Sequence, residues 1–218
     1  MKEKKGTHFA MFKQKSLATF SEAYRTLYYA LRNMPNLQKA RKSGLLSKHF
    51  NSRIMLAVTE VSGCNLYSYG HTTLALESGM NQTEISQLLG GEMDDTPEHE
   101  QAAILFAQHV ADQRGAVSEK AWEHLITLYG EKQSEAILAS VQVIMMGNTF
   151  GIPIGSLFSL ISKRPIFKKD ERTTLAYEWG MLVAALLFLP IALVHSLLAS
   201  LTKQPKATFV YLDKGKHA

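Results

Sequence analysis

Apolar residues recur at helical spacing along nearly the whole chain, and this pattern constrains the fold more than any other feature. In the segment from Ser16 to Met34, the residues that fall on one helical face are Leu17, Phe20, Tyr24, Leu27, Tyr28 and Leu31. No run of alternating apolar and polar residues is long enough to form a sheet. The sequence therefore predicts an all-α protein.

Glycine, proline and capping residues divide this pattern into helices. Pro35 is expected to end the first helix, and a short helix follows to about Gly44. The further predicted helices are Ser47 to Val61, Cys64 to Ser78, Asn81 to Gly90, Pro97 to Arg114, Ser118 to Gly130 and Glu131 to Met146. Asn81 followed by Glu84 has the spacing of a capping box. The residues Gly147, Gly151, Pro153 and Gly155 predict a turn-rich stretch before a short helix to about Ser162.

The segment from Trp179 to Leu201 differs from the rest of the chain. It has 23 residues without a formal charge, so it is long and apolar enough for a transmembrane helix. Pro190 and His195 are less typical of such a helix, although lipid-embedded helices tolerate them. Two interpretations stay open: the segment contacts a membrane, or it is buried in an oligomer interface or across the core.

The charge and cysteine content narrow the setting and the partners. The net charge is +5, with lysines and arginines concentrated near the two ends and between residues 163 and 172. No helix-turn-helix or zinc finger accompanies them, so we expect no nucleic-acid partner. A single cysteine excludes an internal disulfide and is typical of a reducing compartment. The charged N-terminus lacks a signal-peptide core, so we expect a cytoplasmic protein, membrane-associated if residues 179–201 contact lipid.

One short stretch could perform chemistry. Cys64 and His71 are seven residues apart, which places both side chains on the same face of a helix. If Ser62 and Gly63 end the preceding helix, Cys64 lies at a helix N-terminus, where backbone amides favour the thiolate. His71 would then take the thiol proton, and Glu60 could orient the imidazole. The alternative is a buried, unreactive cysteine beside a structural histidine.

The same stretch resembles a known family. The residues Ala57-Val-Thr-Glu-Val-Ser-Gly-Cys64, then His71, Gly79 and a capped helix with Glu84-Ile85, are similar to the central motif of the alkylhydroperoxidase-D-like / carboxymuconolactone decarboxylase family. The resemblance extends from about Leu45 to Asn148 and implies that family's helical bundle, followed here by an additional hydrophobic C-terminal helix. It also implies a homo-oligomer.

The chain departs from the family pattern at one informative position. The redox-active members have a second cysteine three residues after the first, and here that position is Tyr67. The resemblance implies three hypotheses. The first is a peroxidase-like antioxidant oxidoreductase with a single cysteine, in which His71 is the base, Glu60 orients it and Tyr67 or Ser68 donates a hydrogen bond. Its partners would be a small hydroperoxide and an external thiol reductant. The second is a decarboxylase-like enzyme with His71 as acid and base, and the third is a non-catalytic scaffold.

No motif predicts a cofactor or a metal. The chain has no His-x-x-x-His or Cys-x-x-Cys pair and no glycine-rich phosphate loop. The second hypothesis would require cations for a charged substrate, and Arg53 is the arginine nearest the motif. The predicted organisation is a basic tail over 1–15, the helical domain over 16–165, the hydrophobic helix within 171–203 and a tail over 204–218.

Overall fold

Helices dominate the part of the chain that the computed structural model describes, residues 16–164 and 166–210. The predicted tail over 1–15 and residues 211–218 of the second tail lie outside the described residues. The elements are α1 (Phe20–Ser43), α2 (Lys48–Ser62), α3 (Asn65–Glu77), α4 (Gln82–Leu89), α5 (Glu98–Asp112), β1 (Ala116–Ser118), α6 (Glu119–Phe158), α7 (Leu175–Leu201) and β2 (Thr208–Val210). The prediction of an all-α fold with a hydrophobic C-terminal helix is confirmed.

Side chains cap the first turns of several helices. Thr19, Ser47, Asn81 and Ser118 each accept a hydrogen bond from the backbone N–H three residues further on. Such a cap stabilises a helix by about 1 kcal/mol. The predicted starts at Asn81 and Ser118 are confirmed. The carboxylate of Glu84, expected in a capping box with Asn81, accepts a hydrogen bond from Arg53.

The prediction that Pro35 ends the first helix is wrong. The helix α1 continues through Pro35 to Ser43, and Gly44 ends it in the left-handed conformation. The proline ring faces solvent, whereas Leu37 and Ala40 on the following turn are buried in the main core. Their packing outweighs the roughly 3 kcal/mol that an internal proline costs a helix.

The prediction of a turn-rich stretch between Gly147 and Gly155 is also wrong. The helix α6 runs from Glu119 to Phe158, so the predicted short helix to Ser162 is part of it and ends earlier. Gly130, with φ 73° and ψ 163°, is non-helical and divides α6 into two parts. The boundary expected at Gly130 is therefore confirmed. The later glycines do not turn the chain, because they lie where α3 packs closely against α6.

The main core lies between α2, α5 and α6, and a buried ion cluster joins α4 to it. Ile54, Ile104 and Ile137 are fully buried there. Beside them, Arg53 Nε lies 2.5 Å from Glu84 Oε1, and Arg53 Nη1 lies 2.8 Å from Glu100 Oε2. This cluster connects α2, α4 and α5. Arg53, the candidate cation for a charged substrate, is therefore occupied by two carboxylates of the protein.

The chain after α7 returns to the body of the protein. The strand β2 pairs in parallel with β1, with Val117 opposite Phe209. Just before β2, the carbonyl oxygen of Lys206 accepts hydrogen bonds from Asn33 Nδ2 at 2.9 Å and Gln142 Nε2 at 3.0 Å. Both amides are buried, and Asn33 also donates to Gln142. Residues 204–210, the first half of the predicted tail, are thus attached to α1 and α6.

The helix α7 packs against α1 and α6 along one face only. Within the described residues, α6 and α7 are long and apolar enough to cross a membrane by length and composition. The most apolar window of α6 is 67% buried in the protein, whereas that of α7 is 22% buried. Burial in the core accounts for the apolar composition of α6, but it does not account for that of α7.

The buried ion cluster leads to a prediction about stability. Replacing Arg53 with methionine leaves the Glu84 and Glu100 carboxylates buried without their cation, so we expect the free energy of unfolding to fall by about 3–5 kcal/mol. Urea denaturation measures this loss. Lys206→Met is the matched control, because the Lys206–Glu135 pair is 41% and 35% exposed and should contribute under about 1 kcal/mol. Equal losses in the two variants would contradict a structural role for the buried cluster.

Candidate functional site

A sharp break between α2 and α3 positions Cys64. Gly63 ends α2 with φ 65°, and its N–H donates to the carbonyl oxygens of Thr59 and Glu60. Cys64 follows with extended φ and ψ as the residue that precedes α3. A side chain at Gly63 would be strained in this left-handed conformation. The prediction that Cys64 lies at a helix N-terminus is confirmed.

Burial determines the protonation of Cys64 more than the helix N-terminus does. The residue is 1% exposed, and this burial raises the pKa of the Cys64 thiol to about 11. The backbone N–H groups of Tyr67 and Leu66 act in the opposite direction and lower this pKa, as does the charge of Arg172. The thiol is therefore protonated at neutral pH. The expected lowering of its pKa is wrong, because the cost of burying a thiolate exceeds the effect of two amides.

His71 is also buried and uncharged. It is 6% exposed, and burial, assisted by the charge of Arg41, lowers the pKa of its imidazole to about 4. Neither ring nitrogen makes a hydrogen bond with any described residue. The ring lies against that of Tyr67, with 5.2 Å between the centroids. His71 lies on α3, the helix that begins just after Cys64, as predicted. No hydrogen bond to the thiol or to Glu60 orients its ring.

The ring of Tyr67 occupies a flat surface on α6 that two glycines create. A Cβ atom added to Gly147 would lie 2.5 Å from Cζ of Tyr67, and one added to Gly151 would lie 2.7 Å from Cδ2. The Gly151 position would also bring a Cβ atom 3.1 Å from the sulfur of Cys64. The two glycines are four residues apart, so they lie one above the other on the helix. They allow Tyr67 and Cys64 to approach the backbone of α6.

A cleft of about 390 Å³ opens beside Cys64. It lies between the α2–α3 junction and the segment that leads into α7. The residues that line it are Thr59, Glu60, Gly63, Cys64, Asn65, Ser68, Leu89, Lys169, Asp170, Glu171 and Arg172. Of the five predicted site residues, the cleft thus brings together Cys64, Glu60 and Ser68. Tyr67 and His71 are not among its lining residues.

An arginine from a distant part of the sequence closes one side of the cleft. Arg172 donates to both carboxylate oxygens of Asp170, at 2.9 and 2.6 Å, and reaches the carbonyl oxygen of Gly63 at 3.4 Å. Burial alone would raise the pKa of the Asp170 carboxyl, but the hydrogen bonds and charge of Arg172 hold it below its usual value. The two residues therefore form an ion pair next to the thiol.

This contribution of Arg172 was not predicted from the sequence. In the sequence, Arg172 belongs to the basic residues of 163–172, and Arg53 is the arginine nearest the motif. Arg172 is more than 100 residues from Cys64 along the chain, and no local pattern signals that they meet. Within the described residues, no group of three histidine, cysteine or carboxylate side chains could hold a metal ion.

Comparisons of the chain with protein-family models, with curated proteins and with solved structures found no match. The resemblance to the alkylhydroperoxidase-D-like family therefore stays a prediction that the motif carries.

The contact of Tyr67 with α6 predicts the effect of one added methyl group. Gly147→Ala forces the Tyr67 ring away from α6, so we expect a loss of about 1–3 kcal/mol in the free energy of unfolding. Gly70→Ala is the control, because Gly70 is also in a helix and a Cβ atom there meets nothing within 4 Å. Its substitution should leave stability unchanged or raise it slightly. Chemical denaturation measures both, and a neutral Gly147→Ala would contradict the close packing.

The buried neutral His71 predicts a loss of stability in acid. Because its pKa is lowered from 6.5 to about 4, the group stabilises the fold fully above pH 6.5, and this contribution declines as the pH falls through about 4. The loss amounts to about 3 kcal/mol over that range. Unfolding measured at pH 7 and pH 4.5 should show a smaller difference in His71→Leu than in the parent. His99→Leu, at a residue with an 80% exposed side chain, should retain the parent's difference, and equal behaviour of the two variants would exclude His71 as the cause.

Proposed function

We propose that the protein is a thiol oxidoreductase of antioxidant type, in which Cys64 reduces hydroperoxides. The observation that carries the proposal is that the sole cysteine, at the N-terminus of a helix, borders a cleft large enough for a small substrate. The motif resemblance supports the same class of reaction. It also supports a homo-oligomeric assembly, which we propose with it.

The reaction passes through a sulfenic acid and then a mixed disulfide of Cys64. The Cys64 thiolate attacks the terminal oxygen of the hydroperoxide, an S–O bond forms, and the O–O bond breaks. The alkoxide leaving group takes a proton and departs as an alcohol, which leaves a sulfenic acid on Cys64. One external thiol then forms a mixed disulfide and releases water, and a second external thiol restores Cys64 and departs as part of a disulfide. External thiols are needed because the chain has no second cysteine with which Cys64 could form a disulfide, and Tyr67 occupies that position of the motif.

Glu60 is the proton acceptor that we propose for the thiol. Glu60 and Cys64 line the same cleft, whereas His71 is not among the lining residues. A histidine base that acts directly on a substrate, as the decarboxylase hypothesis requires, finds no support in this arrangement. His71 contributes instead through the packing of Tyr67, whose ring lies between it and the Gly151 face near the sulfur.

The burial of the thiol favours a second candidate function. A resting pKa near 11 makes Cys64 slow at neutral pH, and this favours the hypothesis of a non-catalytic scaffold whose site has decayed. The two candidates differ in a measurable way. A peroxidase must form a sulfenic acid on Cys64 in the folded protein, and a scaffold need not.

The test follows hydroperoxide consumption with a small thiol as reductant and traps the sulfenic acid with a dione reagent. We expect the turnover rate to rise about tenfold per pH unit below the thiol pKa, because only the thiolate reacts. The substitution Cys64→Ser should abolish turnover. Glu60→Gln should lower the rate at every pH without changing the tenfold rise per pH unit, because the pKa of the thiol sets that rise. The control is Glu77→Gln, at an exposed carboxylate of α3, which should leave both unchanged. If the reagent traps no Cys64 adduct between pH 7 and pH 9, the peroxidase proposal is contradicted and the hypothesis of a non-catalytic scaffold remains.

A further inference from the structure

The helix α7 exposes an apolar surface that the fold does not cover. Twelve large apolar side chains between Leu175 and Leu201 are 43–80% exposed. Isolated exposed leucines are common on soluble proteins, but a continuous apolar surface along a whole helix marks a binding surface. The question is what covers it.

The width of the surface indicates a fluid apolar environment. At 100° per residue, the twelve side chains extend over about 200° of the helix circumference. The remaining arc, with Met181, Ala192 and Ala199, is buried against the rest of the protein. An apolar stripe that faces a single packed neighbour is about 100° wide. A single partner helix would therefore leave much of this surface in water, whereas lipid acyl chains can cover all of it.

The polar side chains in the last turns of α7 already have partners within the protein. His195 Nδ1 is hydrogen bonded to the hydroxyl of Tyr24 at 2.8 Å, and the hydroxyls of Ser196 and Ser200 donate to carbonyl oxygens of the same helix. Protein–protein interfaces of stable size carry about ten hydrogen bonds and a polar rim. The exposed arc of α7 offers almost none of these, which favours lipid over a second copy of the chain.

Positive charge accompanies both ends of the surface. Lys163, Arg164 and Lys168 are exposed in the segment that leads into α7, and Lys203 is exposed just after it. The first group follows Ile161, whose side chain is 82% exposed. Basic residues beside an apolar helix face suit a bilayer surface that contains anionic headgroups.

The contacts of α7 with α1 and with the residues just before α1 favour a helix that lies on the bilayer over one that crosses it. Tyr177 donates to the carbonyl oxygen of Ala18 at one end of α7, and Tyr24 packs against Phe188 further along. The helix α1 carries Glu22 in an ion pair with Arg114. If α7 crossed the membrane, this pair would be carried toward the hydrocarbon at a large cost in free energy.

From these observations we propose that the exposed face of α7 is a membrane-docking surface. It inserts in the plane of a bilayer with anionic headgroups, and the basic residues at its ends lie at headgroup level. The proposal does not depend on the reactivity of Cys64. It places the Cys64 cleft, which Lys169 and Arg172 line just before α7, close to the membrane surface.

Binding is tested with the full chain and with vesicles of phosphatidylcholine, with or without phosphatidylglycerol. We expect the protein to float with the anionic vesicles and to bind the neutral ones more weakly. In Trp122→Phe, Trp179 is the remaining tryptophan, and its emission should shift to the blue on binding. Leu186→Gln combined with Leu197→Gln should reduce the bound fraction at least about tenfold, since both side chains are two-thirds exposed. Leu105→Gln with Leu128→Gln, at exposed leucines of α5 and α6, should bind like the parent.

Two outcomes would overturn the proposal. In the first, the protein is a dimer without detergent and does not bind vesicles, and Leu186→Gln with Leu197→Gln converts it to a monomer. This result would show that a second copy of the chain covers the surface. In the second, α7 crosses the bilayer, and quenching of tryptophan fluorescence by brominated lipids distinguishes this orientation from one in the plane. Trp122→Phe retains Trp179 alone, and Trp122→Phe with Trp179→Phe and Leu189→Trp has its single tryptophan at position 189. Both variants should be quenched best by bromine at the same shallow depth if α7 lies in the plane. Quenching of position 189 by bromine at the bilayer centre would show that the helix spans.

Discussion

The contact of the Tyr67 ring with the backbone of α6 determines the arrangement of the site. Gly147 and Gly151 leave room for the ring, and the ring in turn brings the first turn of α3 against α6. Cys64 is buried by the same approach, because its sulfur lies beside Gly151. The raised pKa of the thiol, the lowered pKa of His71 and the position of the cleft all depend on this close packing.

The candidate site is therefore governed by burial and not by attraction between charges. Cys64 and His71 are separated from water, and each favours its neutral form. A thiolate–imidazolium pair would require both groups to ionise in a region with few polar partners. Two charged groups of the site, Asp170 and Arg172, instead neutralise each other at the edge of the cleft. A substrate or a change in this ion pair would be the simplest means of altering the reactivity of the thiol.

The local features of the sequence predicted the local features of the fold. Residues that end or cap a helix act through their own backbone or side chain, so their roles could be predicted without the structure. These residues are Gly63, Gly130, Asn81 and Ser118. Pro35 and the glycines of α6 were misinterpreted, because packing against distant helices decides whether such residues end a helix. For the site, the cleft brings together Cys64, Glu60 and Ser68, but not His71, which the spacing had placed with Cys64. Arg172 could not be predicted, since its position depends on how the segment before α7 folds back on the α2–α3 junction.

The attachment of the chain on both sides of α7 has a mechanical consequence. Before the helix, Arg172 holds the chain to Gly63, and after it the carbonyl oxygen of Lys206 is held by Asn33 and Gln142. A helix joined to its domain at one end could swing away as a hinged arm. With both ends fixed and one face packed on α1 and α6, α7 is instead a rigid edge of the domain. Any surface that binds it also sets the orientation of the whole protein, including the direction in which the Cys64 cleft opens.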